Sequence, residues 1–557
     1  MKKRFRRLTA ASAAACMTAT LLFGAVAGAE ESTEAPAGQS VEGIPEVLET
    51  PVDSMTVALT SGTFATTPFS KPSPGFGPIA YMIWGRLFYQ TSASATLEDG
   101  GLQPWIGKSV TKVDDSTYDV ELYDYVHDSQ GNPITADDVI FSYEMSAKEG
   151  EFADFNTLVE SVTKIDDYNI EIKMKLVMPG AIEEILGNDQ LTIVSKDWYE
   201  NTSEADRQMN PATTGAYTVA DVVQGSGVTL VRNEDPWQKE PTCTPEVANV
   251  EKIYYKVITE SSMRAIGLEN GELDSAIVAA TDLSKFYDET EGKPLDGWTV
   301  CFAPVTMVTG IFCNMDEGES IFADNLELRQ AVCSALDGED IYYAAGHTEV
   351  NAEKAFALSA PALGGYDLIE DEDYMPYDLD AAREHFEASG VPEGTEITLL
   401  SSQSLYTDAA RSVIIAQLES IGFTVNSLAV DQALFNTYKN DSTQWDLMLD
   451  MRGSGTGHVT GLWDGMFNPA NYTNGSMCFT HDDKLVELLE TSKQDPSQEN
   501  LQAFNDYVSD NAICKALFVK STIYLEQGGI TDLPIGFLQP IYGASSFSED
   551  YQSAAGK

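Results

Sequence analysis

From Val305 onward, strand-like and helix-like runs alternate, and this alternation limits the possible folds more than any other feature. Short apolar runs such as GIFCNM, ITLLSS and WDLMLDM are typical of strands. Between them lie runs with apolar residues at helical spacing, among them LELRQAVCSAL, AAREHFEASG and ARSVIIAQLESIG. Strands separated by helices predict a βαβ-rich α/β domain.

The first half of the chain mixes the two patterns differently. Strands are predicted for MTVALTSG, TYDVELYDY, NIEIKMKLV, GVTLVRN and KIYYKVI. Helices are predicted for IAYMIWGRLF, for NPITADDVIFSYEMSA with Thr135 as its N-cap, and for SSMRAIGLENG with Gly271 as its C-terminal cap. The first half therefore adds strand-rich structure to the α/β pattern.

Residues 1–29 have the three parts of a secretory signal: a basic head, an apolar middle and the exit sequence Ala27-Gly28-Ala29. We expect cleavage there, with a membrane anchor as the alternative and a lipid-modified Cys16 as a less favoured one. Residues 30–52 are acidic, contain Pro and Gly, and predict a flexible linker.

The exported part is long and strongly acidic. Five of the 33 basic residues lie in the signal, which leaves 28 against 87 acidic residues, a net charge of −59 over 528 residues. Such a charge repels nucleic acid, and a core stops growing near ~250–300 residues. We therefore expect two or three domains, no nucleic-acid partner, and a monomer.

The sequence lacks the common short motifs of enzymes and metal sites. The six cysteines of the exported part are at least twelve residues apart, so there is no C-x-x-C unit, and Cys313 and Cys333 are expected to be buried free thiols. The sequence has no G-x-S-x-G, H-E-x-x-H or G-x-G-x-x-G motif. We predict a protein that is not an enzyme, with no cofactor and no metal; an exported hydrolase remains the alternative.

Five elements follow one another along the chain: HDSQGNPITADDVIFSYE; NPATTGAYTVADVVQGSGVTLVRNEDPW; ITESSMRAIGLENGELDSA; FCNMDEGESIFADNLELRQAVCSALDGEDI; and the pair YDLDAAREHFEASG and IIAQLESIGFTVN. In this order they resemble the oligopeptide- and dipeptide-binding family, the extracytoplasmic solute-binding proteins of peptide- and nickel-type ABC importers. Most of these motifs have structural roles, and Arg329 is expected to be a buried tether to a carboxylate such as Asp324.

The resemblance implies an α/β protein with a two-lobed periplasmic-binding-protein-like fold, an additional domain inserted in its N-terminal half, and a ligand cleft between the lobes. The first lobe would comprise residues 53–78, 207–305 and 526–557, the inserted domain 79–206, and the second lobe 306–525. GIFCN would be one crossing strand, and the segment from Phe518 to Gly529 the return.

The resemblance also points to a departure at the binding site. In peptide-binding members, an Asp after the strand similar to WDLMLDM pairs with the α-ammonium group of the peptide. Here the corresponding loop has Arg452, and Asp464 comes about ten residues later. Peptide specificity therefore stays open, because an Arg binds carboxylate or phosphate through its planar fork.

Polar and aromatic side chains at strand ends between the lobes are the expected contacts of the solute. The predicted ligand-binding residues are Ser61, Thr63, Phe64, Asn314, Arg452, Ser454, His458 and Trp463. Two structural alternatives remain, in which Trp463 belongs to the core and Arg452 pairs with one of the many acids.

The expected function is that of a receptor in the periplasm or on the outer face of the cytoplasmic membrane. It would capture a peptide or another medium-sized polar solute and deliver it to the permease subunits of an ABC importer. A protein of the same fold that binds a carboxylate, sugar or metal chelate and acts in signalling is the other alternative.

Overall fold

The computed structural model describes residues 43–61, 68–69, 77–148, 153–188, 190–370, 375–403, 405–472, 475–536 and 539–555. The predicted signal at 1–29 and most of the linker at 30–52 lie outside these residues. Within them, no helix is long and apolar enough to cross a membrane.

The strands, in chain order, are β1 (Met55–Leu59), β2 (Phe88–Gln90), β3 (Leu102–Pro104), β4 (Gly107–Lys112), β5 (Thr117–Leu122), β6 (Val159–Asp166), β7 (Asn169–Met174), β8 (Tyr217–Val223), β9 (Gly227–Arg232), β10 (Lys252–Val257), β11 (Ser275–Val278), β12 (Tyr287–Asp288), β13 (Lys293–Pro294), β14 (Trp298–Phe302), β15 (Met307–Cys313), β16 (Ala352–Lys354), β17 (Thr395–Ser402), β18 (Phe423–Val430), β19 (Leu447–Gly453), β20 (Cys514–Lys520), β21 (Ile523–Gln527), β22 (Ile530–Asp532) and β23 (Ser546–Phe547).

The helices are α1 (Gly77–Ile83), α2 (Ala136–Lys148), α3 (Ala153–Leu158), α4 (Ala181–Gly187), α5 (Lys196–Asn201), α6 (Glu204–Met209), α7 (Ser261–Glu269), α8 (Ala280–Leu283), α9 (Leu326–Ala335), α10 (Gly338–Ala344), α11 (Leu379–Ala388), α12 (Asp408–Glu419), α13 (Gln432–Tyr438), α14 (Val459–Phe467), α15 (Asp483–Gln494) and α16 (Gln498–Asp510). Polar caps fix several of the starts: Asn325, Thr407 and Asp431 each accept a hydrogen bond from the first turn that follows.

Helix α1 is shorter than the apolar run IAYMIWGRLF predicts. It ends at Ile83, whose carbonyl accepts a hydrogen bond from Gly215 N (2.9 Å), while Gly85 N donates to Thr214 Oγ1 (2.8 Å). A side chain at Gly215 would lie 2.5 Å from the carbonyl oxygen of Met82. Thr214 and Gly215 therefore occupy the space beside Ile83 and Gly85 in which the next turn of the helix would lie.

A seven-stranded sheet, with strand order β14-β21-β11-β1-β10-β9-β8, forms the first large layer. Strand β1 pairs in parallel with β10 and β11, and the remaining neighbours are antiparallel. We refer to it below as the first sheet.

A second sheet of six strands has the order β16-β20-β15-β19-β17-β18. Here β17 runs parallel to β18 and β19, whereas β15 is antiparallel to β19 and β20. Two apolar clusters cover its two faces, one around Phe312, Met448 and Trp463, the other around Ile311, Leu399 and Leu449. The alternation predicted from Val305 onward corresponds to this sheet and its helices.

A smaller antiparallel sheet, β4-β5-β7-β6, lies in the N-terminal half. It shares one hydrophobic core with the first sheet, since Val120 and Ile172 belong to the same buried cluster as Val57 and Ile253. Residues 79–206, which include this sheet, are called the inserted segment below.

The chain passes between the two large sheets twice. Residues 303–306 connect β14 to β15, and residues 521–522 connect β20 to β21. GIFCN was expected to form the first crossing, but Gly310 and Cys313 lie inside β15, within the second sheet. Strand β21 begins at Ile523 in the first sheet, three residues before the predicted domain boundary at 526.

The cysteines of the described residues are all free thiols, and Cys313 and Cys333 are buried, as the sequence predicts. Arg329 is also buried, but its partners differ from the expected carboxylate. Its guanidinium donates to the carbonyl oxygens of Phe322 (2.6 Å), Ala323 (2.9 Å) and Asn511 (2.9 Å).

One acid in the first sheet is completely buried. Glu526 accepts a hydrogen bond from Ser275 Oγ (2.8 Å), and its Oε2 has no hydrogen-bond partner among the described residues. Burial raises the pKa of Glu526 to about 8, and the nearby Asp274 adds to this rise. The carboxyl group is therefore neutral at neutral pH.

This gives a pH-dependent contribution to stability. The folded protein keeps the Glu526 proton up to about pH 8, while the unfolded chain releases it near 4.5. The contribution of Glu526 to the free energy of unfolding is therefore fully present below pH 4.5 and is lost as the pH rises towards 8. Glu526→Gln, which is always neutral, should raise Tm by an amount that grows from pH 5 to pH 8 and then levels off.

Thermal unfolding followed by circular dichroism at several pH values checks this expectation. Glu272→Gln, at an exposed position close to the same sheet, is the matched control and should shift Tm equally at every pH. If Glu526→Gln shifted Tm by the same amount at pH 5 and pH 8, this would contradict the conclusion that the buried carboxyl group of Glu526 is neutral at neutral pH.

Candidate functional site

The candidate site is built on the carboxyl ends of strands in the first sheet. Because β1, β10 and β11 are parallel, their carboxyl ends lie at one edge. Val278 at the end of β11 pairs with Ile523, and Ile523 pairs with Phe302. Both crossings therefore leave the first sheet from this same edge.

The second sheet presents the corresponding edge. The parallel strands β17, β18 and β19 end there, and Gly453 at the end of β19 pairs with Met307, the first residue after a crossing. Val308 next to it pairs with Val519, close to the other crossing. The carboxyl edges of both sheets therefore face the crossings, and such edges are where open α/β sheets bind ligands.

Arg452 lies at this edge of the second sheet. Its Nη2 forms an ion pair with Oδ2 of Asp450 (2.6 Å), which is 4 % exposed. The Nε atom of Arg452 is buried and has no hydrogen-bond partner among the described residues. The guanidinium is thus held by one acid and keeps unused donor capacity, which is costly in a buried group.

Lys439, at the end of α13, is a neighbour that the sequence did not point out. Burial lowers the pKa of its ammonium group, and the positive charge of Arg452 adds to that lowering, while Asp450 opposes it. No carboxylate of the described residues forms an ion pair with Lys439. The charges of Arg452 and Asp450 therefore both act on Lys439, although only Arg452 is paired with Asp450.

Ser454 and His458 lie in the loop that follows β19. The Ser454 hydroxyl is buried against the Thr456 hydroxyl (3.1 Å). His458 caps helix α14, and its Nδ1 accepts a hydrogen bond from Thr460 N (3.2 Å). Burial lowers the pKa of His458 to about 4, so the ring is neutral at neutral pH.

The other predicted residues divide into three groups. Ser61 follows β1 at the edge of the first sheet and is half-buried. Thr63 and Phe64 lie outside the described residues. Asn314 and Trp463 are described but do not lie at this edge.

Asn314 follows the far end of β15, seven residues beyond Met307 and therefore about 23 Å from it along the chain. It is fully buried, and its amide donates to the carbonyl oxygens of Ser442 (2.8 Å) and Trp445 (2.7 Å). The structure gives Asn314 the role of a loop anchor in place of the expected solute contact.

Trp463 lies in the core beneath the second sheet. Its ring is fully buried, is stacked on Phe504 with centroids 4.3 Å apart, and donates from Nε1 to the carbonyl oxygen of Leu358 (2.8 Å). This is the structural alternative stated for Trp463, and it leaves no ring face for a solute.

Asp464 is the next acid after the loop position at which peptide-binding members have their Asp. It also has partners within the protein. Lys493 Nζ lies 2.7 Å from its Oδ1, and the two side chains are 2 % and 9 % exposed, respectively. Asn468 and Asn471 donate further hydrogen bonds to the same carboxylate. Asp464 is therefore part of a buried structural ion pair.

Among the described residues, no group of three or more His, Cys, Asp or Glu side chains is arranged to hold a metal ion. The chemistry at the edge is that of charged and polar contacts.

Comparison with known proteins agrees with this geometry. The model of the bacterial extracellular solute-binding proteins, family 5, matches residues 101–474. The chain belongs to this family. Its fold is also that of solved members: the DppA protein from Helicobacter pylori, in complex with the peptide STSA, superposes with a TM-score of 0.71 at 17% identity, covering 89% of this chain and 98% of that one.

Two relatives of this family 5 protein are similar in sequence. The oligopeptide-binding protein AppA of Bacillus subtilis is 25% identical over 246 residues, 42% of each chain. The nickel-binding protein NikA of Staphylococcus aureus is 27% identical over 146 residues, 26% of this chain and 28% of that one. The chain thus spans less than half the length of these curated relatives.

The buried pair of Asp464 and Lys493 allows a direct test of its structural role. Lys493→Met should lower the free energy of unfolding by about 3–5 kcal/mol, because it leaves a buried carboxylate without its partner. Adding Asp464→Asn to this variant should recover part of that loss. Urea unfolding of the two single variants and the double variant measures the coupling, and strictly additive losses would contradict the pair.

Proposed function

We propose that this protein is an extracytoplasmic receptor of an ABC importer, which captures a medium-sized polar solute between its two sheets and delivers it to a membrane permease. The single observation that carries the proposal is the pair of carboxyl edges facing two short crossings, in a chain of solute-binding family 5. Binding between such lobes is coupled to hinge closure.

Peptides are the first solute class to consider. A relative is named an oligopeptide-binding protein, and a solved structure of the same fold contains a tetrapeptide. Another relative is named a nickel-binding protein, so metal chelates are the second class. In the proposal the receptor is a monomer without catalytic activity, located in a periplasm or at the outer face of the cytoplasmic membrane, and it binds no nucleic acid.

The proposed solute contacts come from both edges: Ser61, with Thr63 and Phe64 after it, and Arg452, with Ser454 and His458 after it. A domain arrangement of 53–78, 207–305 and 526–557 against 306–525, with 79–206 inserted, belongs to the same proposal. Arg452 and Lys439 favour an anionic group on the solute, such as a carboxylate.

Native mass spectrometry of the purified protein tests the function. A receptor should retain an unmodified solute, and a thermal-shift panel of peptides, nickel–histidine complexes, dicarboxylates and oligosaccharides should contain a stabilising compound. At a concentration of 100 Kd the expected stabilisation is about 2.7 kcal/mol. Hydrolysis of a panel compound would favour an exported hydrolase instead, and a panel without any stabilising compound would count against the receptor.

Arg452→Ala should weaken binding of the identified solute at least tenfold, because an anion in a partly buried site loses a charge-assisted hydrogen bond. Isothermal titration calorimetry measures the change. Arg383→Ala is the matched control, since Arg383 also pairs with an Asp of the predicted second lobe but is exposed. Unchanged affinity of Arg452→Ala would exclude Arg452 from the site.

A further inference from the structure

The loop that carries the site residues of the second sheet contacts the inserted segment. We call Gly453–His458 the docking loop; it continues directly from β19. A Cβ atom at Gly457 would lie 1.7 Å from the carbonyl oxygen of Ala93, and one at Gly180 would lie 1.8 Å from that of Thr456. At both glycines the backbone of one segment lies directly against the backbone of the other, so neither position has room for a side chain.

A third glycine extends this contact. A Cβ atom at Gly455 would lie 2.5 Å from Oε1 of Glu184, a residue that is 2 % exposed at the start of α4. Its neighbour Glu183 is also buried and accepts a hydrogen bond from Leu97 N (3.0 Å). The loop thus covers the first turn of α4 and the segment after β2.

The backbone conformations of two of these glycines are consistent with this close contact. Gly180 has φ of +80° and Gly457 has φ of +67°, a region that other residues rarely adopt. On its other side the docking loop is tied to its own lobe, where Gly364 N donates to the carbonyl oxygen of Gly457 (2.8 Å). The loop is therefore held between Gly364 and Ala93.

We propose that Gly180, Gly455 and Gly457 are positioning residues for solute binding, because they let the docking loop seat against the inserted segment and so fix Arg452 at the edge. This inference rests on the proposed function for its meaning. Arg452 directly precedes the docking loop, so the seat of the loop constrains the end of β19 that carries Arg452 and its partner Asp450. The contact joins the second sheet to the inserted segment at a place distinct from the two crossings.

Hydrogen exchange measured by mass spectrometry tests the contact without any solute. Gly457→Ala should raise the exchange rates of peptides covering residues 91–97 and 178–186 at least tenfold, because the added methyl group forces the loop away from Ala93. Exchange in β5 and β7 should stay unchanged, since their core does not involve the loop. A simultaneous rise in β5 and β7 would mean general unfolding of the variant, and the compensating pair described below then decides the proposal.

Gly390→Ala is the matched control. Gly390 also lies in the predicted second lobe and has φ of +72°, but nothing lies within 4 Å of a Cβ atom added there. This variant has the same backbone strain as Gly457→Ala without the steric contact, so it should leave exchange at 91–97 and 178–186 at the wild-type rate. Equal effects of the two variants would overturn the proposal.

A compensating pair covers the case in which Gly457→Ala does not fold. Gly455→Leu should raise exchange in the same two regions by pushing against Glu184, and Gly455→Leu combined with Glu184→Ala should return it towards the wild-type rate. No rise, or a rise that the second change does not reverse, would contradict the contact. Because no solute is used, failure here is distinct from failure to find a solute.

Discussion

The two short crossings are the constraint on which the arrangement of the site depends. Residue Phe302 of the first sheet and Met307 of the second are five residues apart, so their Cα atoms are separated by at most about 18 Å. Lys520 and Ile523 are three residues apart, which limits them to about 11 Å. Two connections of this length hold the carboxyl edges of the two sheets close to each other.

Charge is distributed around this arrangement in a way that composition does not show. The chain is strongly acidic, yet its buried acids are individually accommodated. Glu526 is neutral because burial raises its pKa, Asp464 has the ammonium group of Lys493, and Asp274 accepts hydrogen bonds from Thr56 N (2.7 Å) and Ala554 N (3.0 Å). At the edge of the second sheet Asp450 is paired with Arg452, and the charge of Arg452 also helps to lower the pKa of the partly buried Lys439.

The sequence predicted the parts of this structure that depend on local pattern. β1 corresponds to MTVALTSG, and α7 is followed by Gly271 with φ of +69°, which a C-terminal cap requires. Arg452 is the penultimate residue of β19, at the edge of the second sheet that faces the crossings. Whether it contacts a solute remains a prediction.

The residues that the sequence misplaced or did not point out are those whose positions depend on strand direction and tertiary packing. Asn314 follows β15, which begins at the edge beside the first crossing and ends at the opposite edge of the second sheet. The direction in which a strand crosses its sheet cannot be read from its composition. Lys439 is brought to Arg452 by the packing of Phe435 of α13 into the core, and the glycines of the docking loop gain their meaning from Ala93 and Glu184, hundreds of residues away.

Asp450 has opposite effects on an anionic solute. It holds the guanidinium of Arg452 in place, which lowers the entropy lost on binding, but its own charge repels a second carboxylate. Lys439 offsets this repulsion. Because burial and Arg452 lower the pKa of Lys439, an anion bound between the two cations would raise that pKa again. Under the proposed function, binding of an anionic solute and the charge of Lys439 are therefore linked.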